Sequence, residues 1–278
     1  MSSKHMKKPI LFSCYSILAI WAIVTIYPLI YTLLTSFKTQ MSMYVNMFGL
    51  PDKWHFENYI YLFTQYSIGR NIFNSLFLSI VTVAVQLVIS SMAAYIITQF
   101  TLKIGKAILG FFIVGMLIPM QVLLIPVAIM AKWVNGYNSF PFITCVYIAC
   151  GLPYIVFVIS GFMKGLPKEL IESAMIDGCG GFLVFVRIVL PLSRPAIATM
   201  GMLSFIGTWN ELVMALTLLK QQQFQTVSLM LTTFAGERFS NFPGMCAAVI
   251  VAVLPTMILY FVFQENIIAG MTAGAVKG

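Results

Sequence analysis

The chain has 278 residues, 60% of them hydrophobic and only 9% charged, with a mean hydropathy of +0.95. Soluble globular domains average about 45–50% apolar and about 25% charged residues, so a water-soluble fold is excluded and one integral membrane domain over residues 1–278 is expected. The net charge of +8 comes from 16 Lys and Arg against 8 Asp and Glu; these cations are scattered singly, which argues against the basic stripe of a nucleic-acid-binding face.

Six stretches approach the roughly 20 apolar residues that cross a hydrocarbon core: about 10–36, 74–100, 107–131, 142–163, 195–219 and 244–263. The first follows "KHMKK", a start that resembles a signal peptide. Its apolar run is far longer than the roughly 7–15 residues of a signal core and no small-residue cleavage pattern closes it, so it is read as retained and spanning. The longest connection, about 37–73, carries Trp54, Tyr59 and Tyr61 where interfacial aromatics anchor at headgroup level. An external partner docking there is the other reading.

Pro28, Pro119, Pro126, Pro153 and Pro255 fall inside spans. Each lacks a backbone donor and clashes with the preceding turn, so kinks are expected. The five cysteines are odd in number, form no CxxC, and all but Cys179 sit in apolar runs, which supports neither a disulfide framework nor a zinc site. His5 and His55 are isolated.

The densest polar chemistry lies between the fourth and fifth stretches. "PKELIESAMIDG" from Pro167 predicts a short helix. Pro suits its first position, Glu169 favours its first turn, and Gly178 supplies a left-handed stop. Leu170, Ile171, Ala174 and Met175 recur at helical spacing as one apolar face, with Glu169, Glu172 and Asp177 directed elsewhere. After "GCGG" a second apolar helix, "FLVFVRIVL", runs to Pro191. This helix-turn-helix is too short to span and too apolar to float free. A carboxylate pair for hydrolysis needs an enclosing pocket and a water or nucleophile site, and the neighbouring sequence offers no such set. A helix resting on lipid prefers Lys and Arg on its polar face, whereas this one has three acids against Lys168. Docking in the groove of a protein partner fits the residues better.

In the fifth stretch, "GTWNELVMAL" places Glu211 at membrane depth, where an ionisable group costs about 2.5–3.5 kcal/mol on insertion scales and must face a cavity or a partner. Trp209, Asn210 and Glu211 are candidates for a solute pathway, since aromatics stack on sugar faces and amides bond hydroxyls. Adjacent helical residues point about 100 degrees apart, so the three cannot all face one ligand. A structural hydrogen bond from Glu211 to a neighbouring helix is the equal alternative.

Orientation follows from loop cations. With the N-terminus inside, the inner segments hold Lys4, Lys7, Lys8, Lys103, Lys106, Lys164, Lys168, Arg187, Arg194 and Lys277. The outer ones hold Lys38, Lys53, Arg70, Lys132, Lys220 and Arg238, and this excess inside favours both termini in the cytoplasm. The loop of about 164–194 is then cytoplasmic.

The pattern Glu-x-Ala, three residues, Gly, nine residues, Ile-x-Leu-Pro runs from Glu172 through Gly178 and Ile188 to Leu190 and Pro191. It resembles the cytoplasmic "EAA" loop of bacterial ABC importer permeases, with Ser173 and Cys179 in place of the usual alanines. "TSFKTQ" (35–40), "ENYIYLF" (57–63), "NSL" (74–76), "SSMAAY" (90–95), "TWNEL" (208–212) and "GMTAGAVKG" (270–278) are similar to the maltose-type carbohydrate branch, in particular its second, shorter permease subunit. The resemblance covers essentially the whole chain. It implies an all-α membrane protein of six transmembrane helices, N-in and C-in, with the type I ABC importer permease fold and a cytoplasmic coupling helix. Glu169, Glu172, Ser173, Ala174, Asp177, Gly178, Leu190 and Pro191 would then couple to an ATPase, and the tail of about 266–278 would approach it too. The implied partners are a second permease subunit, two ATPase subunits holding ATP and Mg, an extracytoplasmic solute-binding protein, the sugar and membrane lipid. The location implied is the bacterial cytoplasmic membrane.

One residue-level reading agrees independently: no GxxxxGK[ST] phosphate loop occurs, so ATP energy must come from another chain and this one is not expected to be an enzyme. No cofactor, metal or catalytic residue is expected in it. The alternatives are an ABC permease for another solute, such as a polyamine or phosphate, and an ion-coupled secondary transporter that uses Glu211 as carrier. An intramembrane enzyme would need a His, Asp and Ser or metal constellation, which the spans do not offer.

Overall fold

A computed structural model describes residues 8–99, 104–237 and 241–275, with side chains over 11–99, 104–232, 236 and 241–264. Every regular element among them is helical. In chain order they are α1 (Lys8–Ser36), α2 (Gln40–Val45), α3 (Glu57–Gln65), α4 (Ile68–Gln99), α5 (Gly105–Met116), α6 (Leu124–Trp133), α7 (Phe140–Met163), α8 (Lys168–Ile176), α9 (Gly181–Val184), α10 (Leu190–Leu192), α11 (Arg194–Trp209), α12 (Val213–Leu218), α13 (Val227–Glu237) and α14 (Phe242–Ala275). Of the tail expected over about 266–278, the backbone is helical to Ala275; its side chains, and residues 276–278, lie outside the described residues.

Four helices are long and apolar enough to span alone: Leu11–Ser36, Ile68–Gln99, Phe140–Met163 and Phe242–Gln264. Two more candidates are bent pairs, Gly105–Met116 with Met120–Trp133 at 84° and Gly181–Leu192 with Arg194–Trp209 at 74°. The first bend has a local cause. Pro119 is extended (φ −63, ψ 136), has no N–H to continue α5, and leads into the 3-10 turn Met120–Leu123. Pro126 falls in the first turn of α6, where a missing N–H removes no helical bond. Pro28, Pro153 and Pro255 lie inside α1, α7 and α14, which run through them unbroken.

The second departure concerns the fifth stretch. Residues 195–219 are not one helix: α11 ends at Trp209 and α12 begins at Val213. What α11 joins into a bent pair is the loop segment before it, which runs on from α9 through a π-helical turn (Phe185–Val189) into α10. The Leu190 N–H closes that turn on the Phe185 carbonyl. Pro191, next along, has no N–H to give, so the wider turn forms where the regular ladder loses a donor.

The chain divides into two compact units, Met1–Ile68 with Leu231–Val253, and Gly69–Met230 with Leu254–Gly278. In the first, the segment after α1 is tied by its own polar atoms. Asn58 Nδ2 donates to the Ser36 and Lys38 carbonyls at 2.8 and 2.9 Å, and Ser36 and Tyr59 share a hydroxyl bond of 2.7 Å. Burial raises the Tyr59 phenol above its ordinary value, against the lowering effect of the Ser36 bond. Lys38 is 1% exposed and its ammonium donates to the Asn46 carbonyl at 2.7 Å. Trp54 packs edge-on to Phe37 at 5.1 Å yet remains 57% exposed. Tyr61, 42% exposed, packs on Tyr66. His55 lies 3.2 Å from the Glu57 carboxylate.

In the second unit, apolar side chains gather into two buried clusters. One joins α4, α7 and α11 to α8, α9 and the π turn. The other surrounds Tyr147, Met214 and Leu218 between α4, α6, α7 and α12. Each cluster holds one candidate site in place.

Candidate functional site

The first site is the helix-turn-helix between α7 and α11. Helix α8 buries Ile171 (6% exposed) and Ala174 (8%) in the cluster to which α4, α7, α9 and the π turn also contribute. In water, burying a side chain of Ile size is worth about 1.5–3 kcal/mol. Leu170 and Met175, expected on the same face, instead stay 46% and 41% exposed, and Ile176 is 86% exposed. The helix is therefore apolar on two sides. One is seated; the other is open, flanked by the exposed Glu169, Glu172, Ser173 and Asp177.

The turn that ends α8 is a complete Schellman motif. Gly178 has φ +83, its N–H donates to the Met175 carbonyl at 3.1 Å, and the Cys179 N–H donates to the Ala174 carbonyl at 2.9 Å. A Cβ at Gly178 would meet nothing within 4 Å, so the backbone conformation alone demands glycine there. Leu190 and Pro191, half-buried in the one-turn α10, belong to the return path to α11 rather than to the exposed face.

Tyr95 clamps this element to α4. Its hydroxyl donates to the Gly181 carbonyl at 2.9 Å and its ring lies 5.1 Å from that of Phe185. Gln99, at the end of the same helix, donates to the Met163 carbonyl at 3.0 Å. Displacement of α8 and α9 is thereby tied to α4 and α7.

The second site is a cavity of about 290 Å³ in the second unit, between α4, α7 and α11, lined among others by Gln86, Tyr147, Cys150, Gly151, Tyr154, Ser204, Thr208 and Glu211. Glu211 sits in the break between α11 and α12. Its carboxylate accepts from the backbone N–H groups of Met214 and Ala215 at 2.7 and 3.0 Å, and from the Tyr147 hydroxyl at 2.6 Å. These are the second and third N–H groups of α12, the pair a capping side chain normally serves. A Glu one position further out reaches them through its longer chain, and its negative charge complements the helix dipole.

The three residues read as a pathway group separate. Trp209 is 2% exposed and stacked on Phe205 with centroids 5.8 Å apart. Asn210 is exposed at the end of α11 and does not line the cavity. Only Glu211 reaches it.

Opposite Glu211, Gln86 (2% exposed) donates through Nε2 to the Tyr147 carbonyl at 2.8 Å and accepts the Ser204 hydroxyl through Oε1. Gly151 permits this: a Cβ there would lie 2.2 Å from Gln86 Nε2. Sequence reasoning missed Gln86, Gly151, Tyr147 and Tyr154. A signal existed for Gln86, because Asn71, Ser75, Ser79, Thr82, Gln86 and Ser90 repeat at three- and four-residue intervals along α4, and all are buried.

The family model described as binding-protein-dependent transport system inner membrane component matches residues 86–272. The chain is 32% identical over 260 residues to the maltodextrin transport system permease protein MalD of Streptococcus pneumoniae, covering 92% of each protein. It is 26% identical over 265 residues to the diacetylchitobiose uptake system permease protein NgcG of Streptomyces coelicolor, covering 95% of this chain and 88% of that protein. Its fold is similar to that in the crystal structure of a bacterial ABC transporter involved in the import of the acidic polysaccharide alginate, with a TM-score of 0.82 at 19% identity over 95% of this chain and 99% of that one. With most of its length matched and the same helical architecture, the chain belongs to the family of binding-protein-dependent transport system inner membrane components.

Proposed function

We propose that this chain is the permease subunit of an ATP-driven importer that moves a sugar or oligosaccharide across the bacterial cytoplasmic membrane. In this reading it crosses six times, by α1, α4, α5 with α6, α7, α11 and α14, with both termini inside and the 164–194 loop on the same side. It pairs with a second permease subunit, receives solute from an extracytoplasmic binding protein, and draws on two ATPase subunits that hold the ATP and Mg. The chain itself holds no nucleotide and hydrolyses nothing. Support for the sugar comes from the maltodextrin and diacetylchitobiose relatives.

The observation that carries the reading is the two-sided character of α8. Ile171 and Ala174 lock its inner face, while Leu170, Met175 and Ile176 leave an apolar strip exposed beside Glu169, Glu172 and Asp177. Such a strip fits insertion as a short helix into a partner's groove, with the acids fixing its orientation. Ala174 and Gly178 act by seating and ending the helix; Leu190 and Pro191 carry its movement to α11.

Gly178→Val tests this. A left-handed backbone costs a side-chain-bearing residue about 1–2 kcal/mol, and more when it is β-branched. The transporter purified with its partners should assemble, yet hydrolyse ATP without a matching rise in transport. Normal coupling in an assembled variant would show that the turn does not hold the docking helix. Sodium or proton gradients driving uptake without ATP would instead favour the secondary-transporter alternative.

A further inference from the structure

The Glu211 carboxylate is more than a helix cap. A carboxylate offers about four lone-pair sites. Three are taken, one on Oε1 by Met214 N–H and two on Oε2 by Ala215 N–H and the Tyr147 hydroxyl. One acceptor site on Oε1 is left, on a group that lines the cavity. Ser204 is placed alike: its hydroxyl proton goes to Gln86 Oε1, which leaves its oxygen free to accept. Thr208 lies one turn beyond Ser204 on the same face of α11, and Tyr154, 47% exposed, supplies an aromatic wall. An ionisable group at membrane depth is retained where it faces a water-filled cavity or a ligand, not lipid.

Resting on the sugar-importer reading, we propose that this subunit carries a sugar subsite of its own, in which one uncharged sugar ring sits against Tyr154 and donates hydroxyl protons to Glu211 Oε1, Ser204 Oγ and Thr208 Oγ1. Size and charge both restrict the occupant. At about 290 Å³ the cavity is at the small end of ligand pockets, which run from about 300 to 1,000 Å³, and so has room for one ring, with any further rings of a chain lying outside it. Its acceptors suit a polyol, which brings donors. They oppose a uronate or a phosphate, whose oxygens would meet the Glu211 carboxylate without a cation between them. Gln86 is a positioning residue here: it orients Ser204 while held by the Tyr147 carbonyl, in the space that Gly151 leaves.

Glu211 variants would disturb α12 as well, so the test uses residues outside the cap. The transporter, purified with the partners that accompany it and placed in proteoliposomes, is assayed for ATP-driven uptake of maltotriose, raffinose, diacetylchitobiose, trigalacturonate and spermidine. Expected is uptake of at least one neutral sugar and none of trigalacturonate. Thr208→Val, which keeps the side chain's shape, and Tyr154→Ala should each raise KM for that sugar about three- to tenfold, the equivalent of one lost contact, with a smaller change in kcat. In a variant retaining Cys150 as its only cysteine, the sugar should slow labelling by a membrane-permeant thiol reagent. Neutral-sugar uptake with unchanged KM in both variants and no protection of Cys150 would overturn the subsite and leave the importer reading intact. Uptake of spermidine or trigalacturonate but of no neutral sugar would overturn both.

Discussion

Helices α1 and α4 are equally apolar over a membrane-length window, yet none of that window is buried in α1 and 33% is buried in α4. Polar residue placement separates them. In α1, Thr25 and Thr32 turn their hydroxyls onto the carbonyls of Trp21 and Pro28 four residues back, both at 2.8 Å. These side chains satisfy themselves and ask for no neighbour. In α4 the buried polar residues form a seam that draws partners from other elements towards both ends, although Ser90 bonds back to the Gln86 carbonyl of its own helix. Asn71 and Asn74 donate to the Gln223 and Gln225 carbonyls, the Ser75 hydroxyl accepts the Val227 N–H, and Gln86 joins α7 to α11. Hydropathy identifies a span; the register of its polar residues tells whether the span is an organising helix.

The largest effect should come from the N-terminal end of the seam. Asn71 and Asn74 are 2% and 4% exposed and make three bonds of 2.9–3.0 Å to carbonyls ahead of α13. Each bond is worth about 0.5–1.5 kcal/mol net, so replacing both by Leu should destabilise the protein by about 2–4 kcal/mol. Thermal unfolding in detergent would read this as a drop of several degrees. A midpoint unchanged from wild type would reduce the seam to an accident of composition.

Next comes Gly151→Ala. The new methyl would lie 2.2 Å from Gln86 Nε2. The amide is pinned on both sides, by the Tyr147 carbonyl and the Ser204 hydroxyl, so relief requires breaking one of these bonds or moving α7. Overpacking of this kind costs about 1–3 kcal/mol. Adding Gln86→Ala should recover part of the loss, because the clash partner is gone, and a double-mutant cycle would measure that coupling. Simple additivity would mean that the methyl is accommodated elsewhere.

The helix-turn-helix and the break beside Glu211 differ in how far each was readable in the sequence. The helix-turn-helix was legible because its determinants are local: α8 ends where the Gly178 N–H meets the Met175 carbonyl three positions back and the Cys179 N–H meets the Ala174 carbonyl five back, and Ile171 and Ala174 are one helical step apart. The break at 210–212 was not. Across "GTWNELVMAL" local propensity favours continuation, and what stabilises the interruption is a carboxylate that collects two N–H groups ahead of it and a Tyr147 hydroxyl 64 residues away. The bend at Pro119 lies between these cases, since the proline is visible in sequence but the 84° angle is not. The seam in α4 was legible in principle, its period being helical, and was hidden by the high apolar content around it.

The smallest effects give the sharpest form of the comparison, because the same substitution can be made in both helices. Thr82 of α4 is fully buried, and its hydroxyl has no hydrogen-bond partner among the described residues. Valine matches its shape and removes an orphaned polar group, so Thr82→Val should be neutral or stabilising by up to about 1 kcal/mol. Thr25 of α1 is exposed and bonded to its own backbone. Thr25→Val deletes that local bond where no packing depends on it, so it should shift stability by no more than about 0.5 kcal/mol either way. Marked destabilisation by Thr82→Val would mean that the seam's middle holds a polar partner as its two ends do. Marked destabilisation by Thr25→Val would mean that α1 is packed in the assembled transporter through the very face that carries this hydroxyl.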